Sequence, residues 1–140
     1  MKWLYRNLYR KEKGFTLVEL MIVIIILAVL TAIAIPSYMV LRDRARRAAA
    51  QSELKNIATA LEMYNADEDT YPDTGFAALI LALEGGGYMD PVPTTDQWDT
   101  PYVYTFDGTD YTLESYGSDG ADGGAGTAAD IELLNGQLQE

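Results

Sequence analysis

Three aspartates near the C-terminus are the side chains of this sequence best suited to bind a metal ion. Asp119, Asp122 and Asp130 lie in the glycine-rich stretch GSDGADGGAGTAADI, residues 117–131. Carboxylates are hard oxygen donors, and glycines let backbone carbonyls turn inward to supply more of the roughly six to eight oxygen ligands that calcium takes. The same composition is also typical of an acidic surface loop that binds nothing. The stretch therefore predicts either a calcium loop or a flexible, solvated one.

The residue types that are missing narrow the chemistry further. The chain contains no histidine and no cysteine, so it lacks the commonest general base, the commonest transition-metal ligand and any thiolate. A membrane-anchored acidic binding protein or enzyme could still use the loop carboxylates around a catalytic metal, but alanines occupy key positions of the loop. We predict no catalytic residue and no enzymatic activity.

A fourth carboxylate, Glu19, lies inside an apolar stretch near the N-terminus. The stretch from Phe15 to Ile35 has about 21 residues, which as a helix would span roughly 30 Å, the thickness of a bilayer's hydrocarbon core. A carboxylate at that depth is costly unless it is neutralised or paired, and it marks function by default. The simpler alternative is that Glu19 lies close enough to the interface to reach water.

Basic residues predict how this segment is oriented. Five precede it: Lys2, Arg6, Arg10, Lys11 and Lys13. By the positive-inside rule they keep the N-terminus in the cytoplasm and send the acidic C-terminal half across the membrane. Four arginines on the far side oppose this orientation: Arg42, Arg44, Arg46 and Arg47. A signal peptide would have a shorter apolar region followed by a small-residue cleavage site, so we expect the segment to stay in the mature protein.

The residues around Glu19 resemble a known processing signal. The stretch KGFTLVE, residues 13–19, followed by an apolar run that ends at Pro36, is similar to the class III signal of type IV pilins and type II secretion pseudopilins. The resemblance implies that prepilin peptidase cuts between Gly14 and Phe15 and that Phe15 is N-methylated. Glu19 would then pair, in a low dielectric, with the new α-amine of a neighbouring subunit and so favour filament assembly.

Beyond the apolar run, helical spacing continues. Pro36 deletes a backbone hydrogen bond, which predicts either a helix end at the membrane surface or, because helical spacing resumes, a kink. An apolar face then extends to about Asn65 through Leu54, Ile57, Ala58, Leu61 and Tyr64. The cluster RDRARR, residues 42–47, could bind anionic lipid head groups, pair with the acidic head of an adjacent subunit, or form a solvated helix face.

The acidic remainder predicts a small head. Asp73-Thr74 before an apolar stretch predicts a capped helix from Phe76 to about Glu84 that glycines end. Two β-rich runs, residues 102–106 and 111–116, flank an Asp-Gly turn and predict a hairpin packed on the long helix.

Charge is divided sharply along the chain. Every lysine and arginine lies at or before Lys55, so the rest of the chain cannot pair its carboxylates with its own bases. Nucleic acid is therefore not an expected partner of that half.

The C-terminal half carries a second resemblance. The stretches DQWDTPYVY (96–104), YTL (111–113), SYGSDG (115–120) and ADI (129–131) are similar to the major, or G-type, pseudopilins of type II secretion. The resemblance implies a structural calcium ion bound by Asp119 and Asp130, with weaker support for Asp122 and the carbonyls of Leu113 and Ser115. Many family members have another carboxylate where this chain has Ala129, which predicts weaker calcium binding or a shift towards Asp122. The absence of cysteine fits the same branch, because many type IV pilins close this region with a disulfide.

These features together predict an α+β, pilin-like fold. The expected parts are a leader (1–14), a transmembrane and assembly segment (15–36), an amphipathic helix (37–65) and an acidic head with a short antiparallel sheet and a calcium loop (66–140). The resemblance implies a bacterial inner-membrane protein that forms a homo-oligomeric periplasmic filament for protein export. It also implies an assembly platform, a cytoplasmic ATPase and minor pseudopilins as partners. The alternative is a type IV pilin that forms a surface fibre for adhesion, motility or DNA uptake.

Overall fold

The computed structural model describes residues 14–139. The five basic residues of the expected leader lie outside these described residues. By its internal contacts the chain divides after Val40 into two compact units. Each unit is described by itself below.

The first helix, α1, comprises Leu17–Glu68, 52 residues with Pro36 inside it. The alternative that the helix ends at Pro36 is therefore wrong, and the predicted end near Asn65 is three residues short of the observed one. By length and composition α1 is able to cross a membrane, since its most apolar window has a mean hydropathy of 3.0 and none of that window is buried. Apolar side chains exposed all round a helix are typical of a membrane span.

Polar side chains within the apolar part of α1 are satisfied by the helix itself. The hydroxyl of Thr31 donates to the carbonyl oxygen of Leu27 at 2.6 Å, and that of Ser37 donates to the carbonyl oxygen of Ile33 at 3.2 Å. Such bonds to the preceding turn satisfy the hydroxyl donors of Thr31 and Ser37 in apolar surroundings.

The second unit, residues 41–140, combines the rest of α1 with a short helix and a four-stranded sheet. Helix α2 is Phe76–Gly85, and the strands are β1 (Val103–Phe106), β2 (Tyr111–Ser115), β3 (Ile131–Leu134) and β4 (Gln137–Leu138). The sheet order is β1-β2-β3-β4, and each neighbouring pair is antiparallel. The predicted α+β fold with a short antiparallel sheet is confirmed.

The predicted hairpin and short helix are also present, but the helix begins differently. Gly75 occupies the N-cap position of α2 with φ 109°, and no side chain caps the helix. The hydroxyl oxygen of Thr74 instead accepts a hydrogen bond from the backbone N–H of Phe106 at 3.2 Å. The predicted Asp73-Thr74 cap is therefore wrong, because Thr74 is used to tie this segment to β1.

A second hairpin, β3–β4, was not predicted. Its turn consists of Asn135 and Gly136, both with positive φ (49° and 73°), as a type I′ turn requires. The side-chain oxygen of Asn135 also accepts the backbone N–H of Tyr111 at 3.0 Å. The Asn-Gly pair after the alternating Ile131 and Leu133 was a usable sequence signal for this hairpin.

The core of the second unit lies between one face of α1 and the sheet. The fully buried residues of α1 recur at helical spacing, and those of β2 and β3 alternate along their strands. They include Leu54, Ile57 and Leu61 of α1 and Leu113, Ile131 and Leu133 of the sheet. Period 3.6 on the helix and period 2 on the strands place both sets on the faces that meet.

Truncation of this core tests the packing. Leu54 is fully buried, so Leu54→Ala should lower the free energy of unfolding by about 2 to 5 kcal/mol through lost apolar burial and the cavity left behind. Leu81 on α2 is 77% exposed, so Leu81→Ala should change it by less than about 0.5 kcal/mol. Denaturant unfolding of both variants, monitored by tryptophan fluorescence, would measure the difference, and equal losses would contradict this description of the core.

Candidate functional site

The bond predicted to be cut lies just outside α1. Gly14, Phe15 and Thr16 precede the first helical residue, Leu17, and adopt no regular secondary structure. The side chain of Phe15 is 84% exposed. A peptide bond outside a helix and beside an exposed side chain is accessible to a peptidase, as the predicted cut between Gly14 and Phe15 requires.

Glu19 is bonded to the start of its own helix. Its Oε2 accepts the backbone N–H of Thr16 at 2.9 Å and the hydroxyl of Thr16 at 2.8 Å, while the hydroxyl oxygen of Thr16 accepts the backbone N–H of Glu19 at 3.2 Å. This reciprocal arrangement is a capping box, which satisfies two of the amides that a helix N-terminus leaves free. The sequence pattern Thr-x-x-Glu at residues 16–19 was the signal for it.

The acidic loop, defined as residues 116–130, connects the end of β2 to the start of β3, and these two points are neighbours in the sheet. β2 ends at Ser115 and β3 begins at Ile131, and these two residues are opposite each other in the antiparallel register. A single 3-10 turn, Gly126–Ala128, is its only regular element. The two strands therefore fix both ends of the acidic loop.

Glycine allows the acidic loop to fold back on itself near Asp119. Gly124 has φ 99°, and a Cβ added there would overlap the carbonyl of Ala128 and lie 3.3 Å from Oδ2 of Asp119. The absent side chain thus lets the Asp119 carboxylate approach the returning part of the loop. Oδ1 of Asp119 accepts the backbone N–H of Ala121 at 3.3 Å.

The carboxylate of Asp130 shows whether the side chains of the acidic loop are suited to bind calcium. Its Oδ2 accepts the backbone N–H of Gly123 at 2.8 Å, but its Oδ1 is buried and has no hydrogen-bond partner. A buried carboxylate oxygen without a partner is costly unless a cation or an unseen donor satisfies it. Hard oxygen donors with one unsatisfied oxygen fit calcium, and Asp119 and Asp130 are the side chains that would bind it.

The other predicted ligands are placed differently. Asp122 is exposed, and within residues 14–139 no three acidic side chains come together as a metal-binding group. Leu113 is in the middle of β2, opposite Tyr104 and Leu133, whereas Ser115 is at the entrance of the acidic loop. Backbone carbonyls or water would therefore have to complete a calcium shell around the aspartates.

A buried carboxylate that was not predicted as a functional residue supports the loop entrance. Asp96 is only 5% exposed. Its Oδ1 accepts hydrogen bonds from the backbone N–H groups of Trp98 and Thr100 at 2.9 and 3.0 Å. Its Oδ2 accepts a hydrogen bond from the hydroxyl of Ser115 at 2.6 Å. The Ser115 oxygen in turn accepts the N–H of Gly117 at 3.3 Å. Asp96 thus links the turn at residues 96–100 to the first residues of the acidic loop.

A second unpredicted contact joins α1 to the end of the acidic loop. The guanidinium of Arg47 donates to the carbonyl oxygen of Ala129 and, at 2.9 Å, to that of Asp130. Arg47 is therefore not a fully solvated residue, because its guanidinium is bonded to the loop of its own chain. By contrast, Arg42 and Arg44 are exposed.

Like charges face each other beside the acidic loop. Glu114 of β2 lies directly opposite Glu132 of β3, and both side chains are partly buried. Burial, and then the charges of Glu132, Asp122 and Asp130, raise the pKa of Glu114 above its ordinary value of 4.5. The folded state therefore binds the Glu114 proton more tightly than the unfolded state does.

This pair predicts a pH-dependent gain in stability. Because the folded-state pKa of Glu114 is raised, its ionisation destabilises the fold as pH rises above about 4.5, and the loss is complete once pH exceeds the folded-state value. Glu114→Gln should raise the free energy of unfolding near pH 7 by up to about 1 kcal/mol, and the gain should vanish near pH 3.5. Glu132→Gln serves as the matched variant, since the two gains should not add. Denaturant titrations at both pH values measure this, and a gain that persists at the lower pH would contradict it.

Comparisons with known proteins agree with the geometry at both ends of the chain. Residues 37–134 match the family described as type II secretion system (T2SS), protein G, and residues 9–35 match the prokaryotic N-terminal methylation motif. The chain is 38% identical over 135 residues to the type II secretion system core protein G of Pseudomonas aeruginosa, covering 87% of this chain and 94% of that protein. It is 34% identical over 138 residues to the core protein G of Vibrio cholerae, covering 90% and 94%. For that of Aeromonas hydrophila the identity is 35% over 137 residues, with the same two coverages. The chain therefore belongs to the type II secretion system protein G family.

Proposed function

We propose that this protein is the structural subunit of a pseudopilus, a periplasmic filament that drives protein export in type II secretion. The observation that carries the proposal is the N-terminal arrangement, in which an exposed, non-helical Gly14–Phe15 bond directly precedes a capped apolar helix. Family membership and the names of its relatives support the same role. This role depends on assembly and requires no catalytic residue.

Processing would prepare the subunit for assembly. Cleavage by prepilin peptidase after Gly14 removes the basic leader and creates an α-amine at Phe15, which would be N-methylated. Oε2 of Glu19 already accepts hydrogen bonds from the backbone N–H and the hydroxyl of Thr16. Oε1 is therefore the oxygen that can accept a hydrogen bond from the α-amine of a neighbouring subunit. Pairing offsets the cost of keeping an amine and a carboxylate in a low dielectric. The exposed apolar side chains between Phe15 and Ile35 would pack between subunits.

The same proposal sets the location and the partners. The apolar helix would anchor the subunit in the bacterial inner membrane, with the N-terminus cytoplasmic and the head periplasmic. An inner-membrane platform and a cytoplasmic ATPase would extract the subunits, and minor pseudopilins would join the filament. A type IV pilin that forms a surface fibre is the alternative, and the names of the relatives favour the secretion filament.

Calcium is the proposed structural cofactor of the head. Asp119 and Asp130 would be its side-chain ligands, with Asp122 and the carbonyls of Leu113 and Ser115 as further donors. The buried, unpartnered Oδ1 of Asp130 is the observation that supports it. When bound, the ion would supply positive charge between Asp119 and Asp130, in a stretch of the chain that has no lysine or arginine after Lys55.

Filament formation tests the role of Glu19. With the full chain expressed alongside the secretion machinery, Glu19→Gln should lower the yield of crosslinked or sheared filaments about tenfold or more, because one member of a buried ion pair is lost. The exposed Glu68, at the C-terminal end of α1, provides the control variant Glu68→Gln, which should assemble normally. Mass spectrometry of the N-terminus should show cleavage and methylation at Phe15 in both variants.

Parental filament yield in Glu19→Gln would reject the pairing. Filaments on the outside of cells that express the protein at normal levels, together with unimpaired protein export when the chain is deleted, would instead indicate the surface-pilus alternative.

Calcium dependence has its own test. Thermal unfolding of the full chain in detergent would be compared in calcium, in magnesium and in chelator at matched ionic strength. Calcium at about 100 times its dissociation constant should raise the midpoint by about 5 °C or more, since it binds only the folded state. Asp130→Asn should abolish this rise, whereas Asp69→Asn, at an exposed residue after α1, should keep it. Equal midpoints in calcium and magnesium would mean that the acidic loop is only a charged surface.

A further inference from the structure

We propose that Arg47 is the positioning residue of the calcium loop, and that it aims the carboxylate of Asp130 by holding the two peptide groups on either side of it. The inference rests on the proposed calcium site for its functional consequence. The arrangement itself is visible without any metal ion. Arg47 and the acidic loop both belong to the second unit, residues 41–140.

The two hydrogen bonds of Arg47 fix the backbone at Asp130. One goes to the carbonyl of Ala129, in the peptide group before the Cα atom of Asp130, and the other goes to the carbonyl of Asp130 itself, in the peptide group after it. Holding both peptide planes fixes φ and ψ at Asp130, and these angles set the direction of its Cα–Cβ bond. The planar guanidinium suits this task because its donors form a rigid fork.

Other contacts show that the direction of Asp130 matters within the acidic loop. Its Oδ2 meets the N–H of Gly123, seven residues earlier in the chain, and its Oδ1 stays buried without a partner. In addition, a Cβ added at Gly117 would lie 3.0 Å from the same Ala129 oxygen that Arg47 binds. The Ala129–Asp130 peptide group is thus bonded to α1 and closely approached by the entrance of the loop.

Two effects of Arg47 on calcium oppose each other, which makes its role measurable. A positive charge near a cation site weakens calcium binding by Coulomb repulsion. A correctly aimed ligand strengthens it, because supporting contacts orient the groups that touch the metal. If positioning dominates, removal of the charge weakens calcium binding, whereas a purely electrostatic role would give tighter binding.

Arg46 provides the matched control. It is next to Arg47 on α1, has the same side chain and is also partly buried. Among the side-chain hydrogen bonds and ion pairs of the described residues, none involves the guanidinium of Arg46, whereas that of Arg47 makes two hydrogen bonds. Replacing Arg46 changes the charge by the same amount without removing a hydrogen bond to the acidic loop.

The experiment compares Arg47→Gln, Arg47→Lys and Arg46→Gln in the full chain in detergent, with calcium chloride as the titrant. Arg47→Gln should weaken calcium binding about tenfold or more, as loss of a supporting contact to a ligand typically does. Arg47→Lys, which keeps the charge but has a single ammonium in place of the fork, should fall between Arg47→Gln and the parent. Arg46→Gln should bind as the parent does or slightly more tightly.

A second measurement needs no calcium. Hydrogen exchange in chelator should show faster exchange of the Gly123 amide in Arg47→Gln, because its acceptor on Asp130 is no longer held in place. The core amide of Leu133 should exchange as it does in the parent, which separates a local effect from general unfolding. Should Arg47→Gln fail to fold, the same two readouts on Arg47→Lys decide the matter.

The outcomes separate the two proposals. Parental or tighter calcium binding in Arg47→Gln, or unchanged Gly123 exchange, would overturn the positioning role. If the parent itself binds no calcium, the calcium site is rejected, and the Gly123 exchange alone then supports or overturns the placement of Asp130 by Arg47.

Discussion

Burial of one apolar face of α1 against the sheet is the interaction on which the rest of the head depends. Leu54, Ile57 and Leu61 are fully buried there, and the strands contribute alternate residues to the same layer. The head has no disulfide, and a domain of this size has few other means of holding its loops in place. Asp96, Arg47 and Asn135 each tie a loop or turn to the elements that this layer positions.

Negative charge in the head is stabilised mainly by dipoles and not by ion pairs. The only ion pair within residues 14–139 joins Arg42 and Asp43 at 3.5 Å, before the head's own elements. Backbone N–H groups bond to Asp96, and those of Thr109 and Asp110 bond to Asp107 and hold its pKa below its ordinary value. Tyrosine hydroxyls donate hydrogen bonds to glutamates of α1, as in the 2.7 Å bond from Tyr102 to Glu53. A half-chain without bases can therefore fold, although this leaves its surface strongly acidic.

Local patterns in the sequence predicted the elements but not the contacts between distant segments. The apolar face of α1, the short helix and the β1–β2 hairpin follow from periodicity and turn residues, and the family resemblance predicts the roles of Gly14, Phe15 and Glu19. The β3–β4 hairpin and the Thr16–Glu19 box also have local signals, the Asn-Gly pair at residues 135–136 and the Thr-x-x-Glu pattern at residues 16–19. The bonds of Arg47 join residues 82 and 83 positions apart, and a charge pattern cannot reveal which arginine of a cluster meets a loop so distant. Whether the aspartates bind calcium depends on how several backbone carbonyls are oriented, which residue types alone do not specify.

The capping box at Thr16 and Glu19 has a consequence for subunits that have not yet assembled. Its hydrogen bonds lie within one chain, so a solitary subunit in a bilayer would already shield one oxygen of its carboxylate. Such a subunit could remain in the membrane as a standing pool without a partner. The free energy that favours filament growth would then be the extra stabilisation from a neighbour's amine beyond that of the hydrogen bonds within the chain. This difference is smaller than the stabilisation of a carboxylate that had no partner at all, so assembly would be more easily reversed.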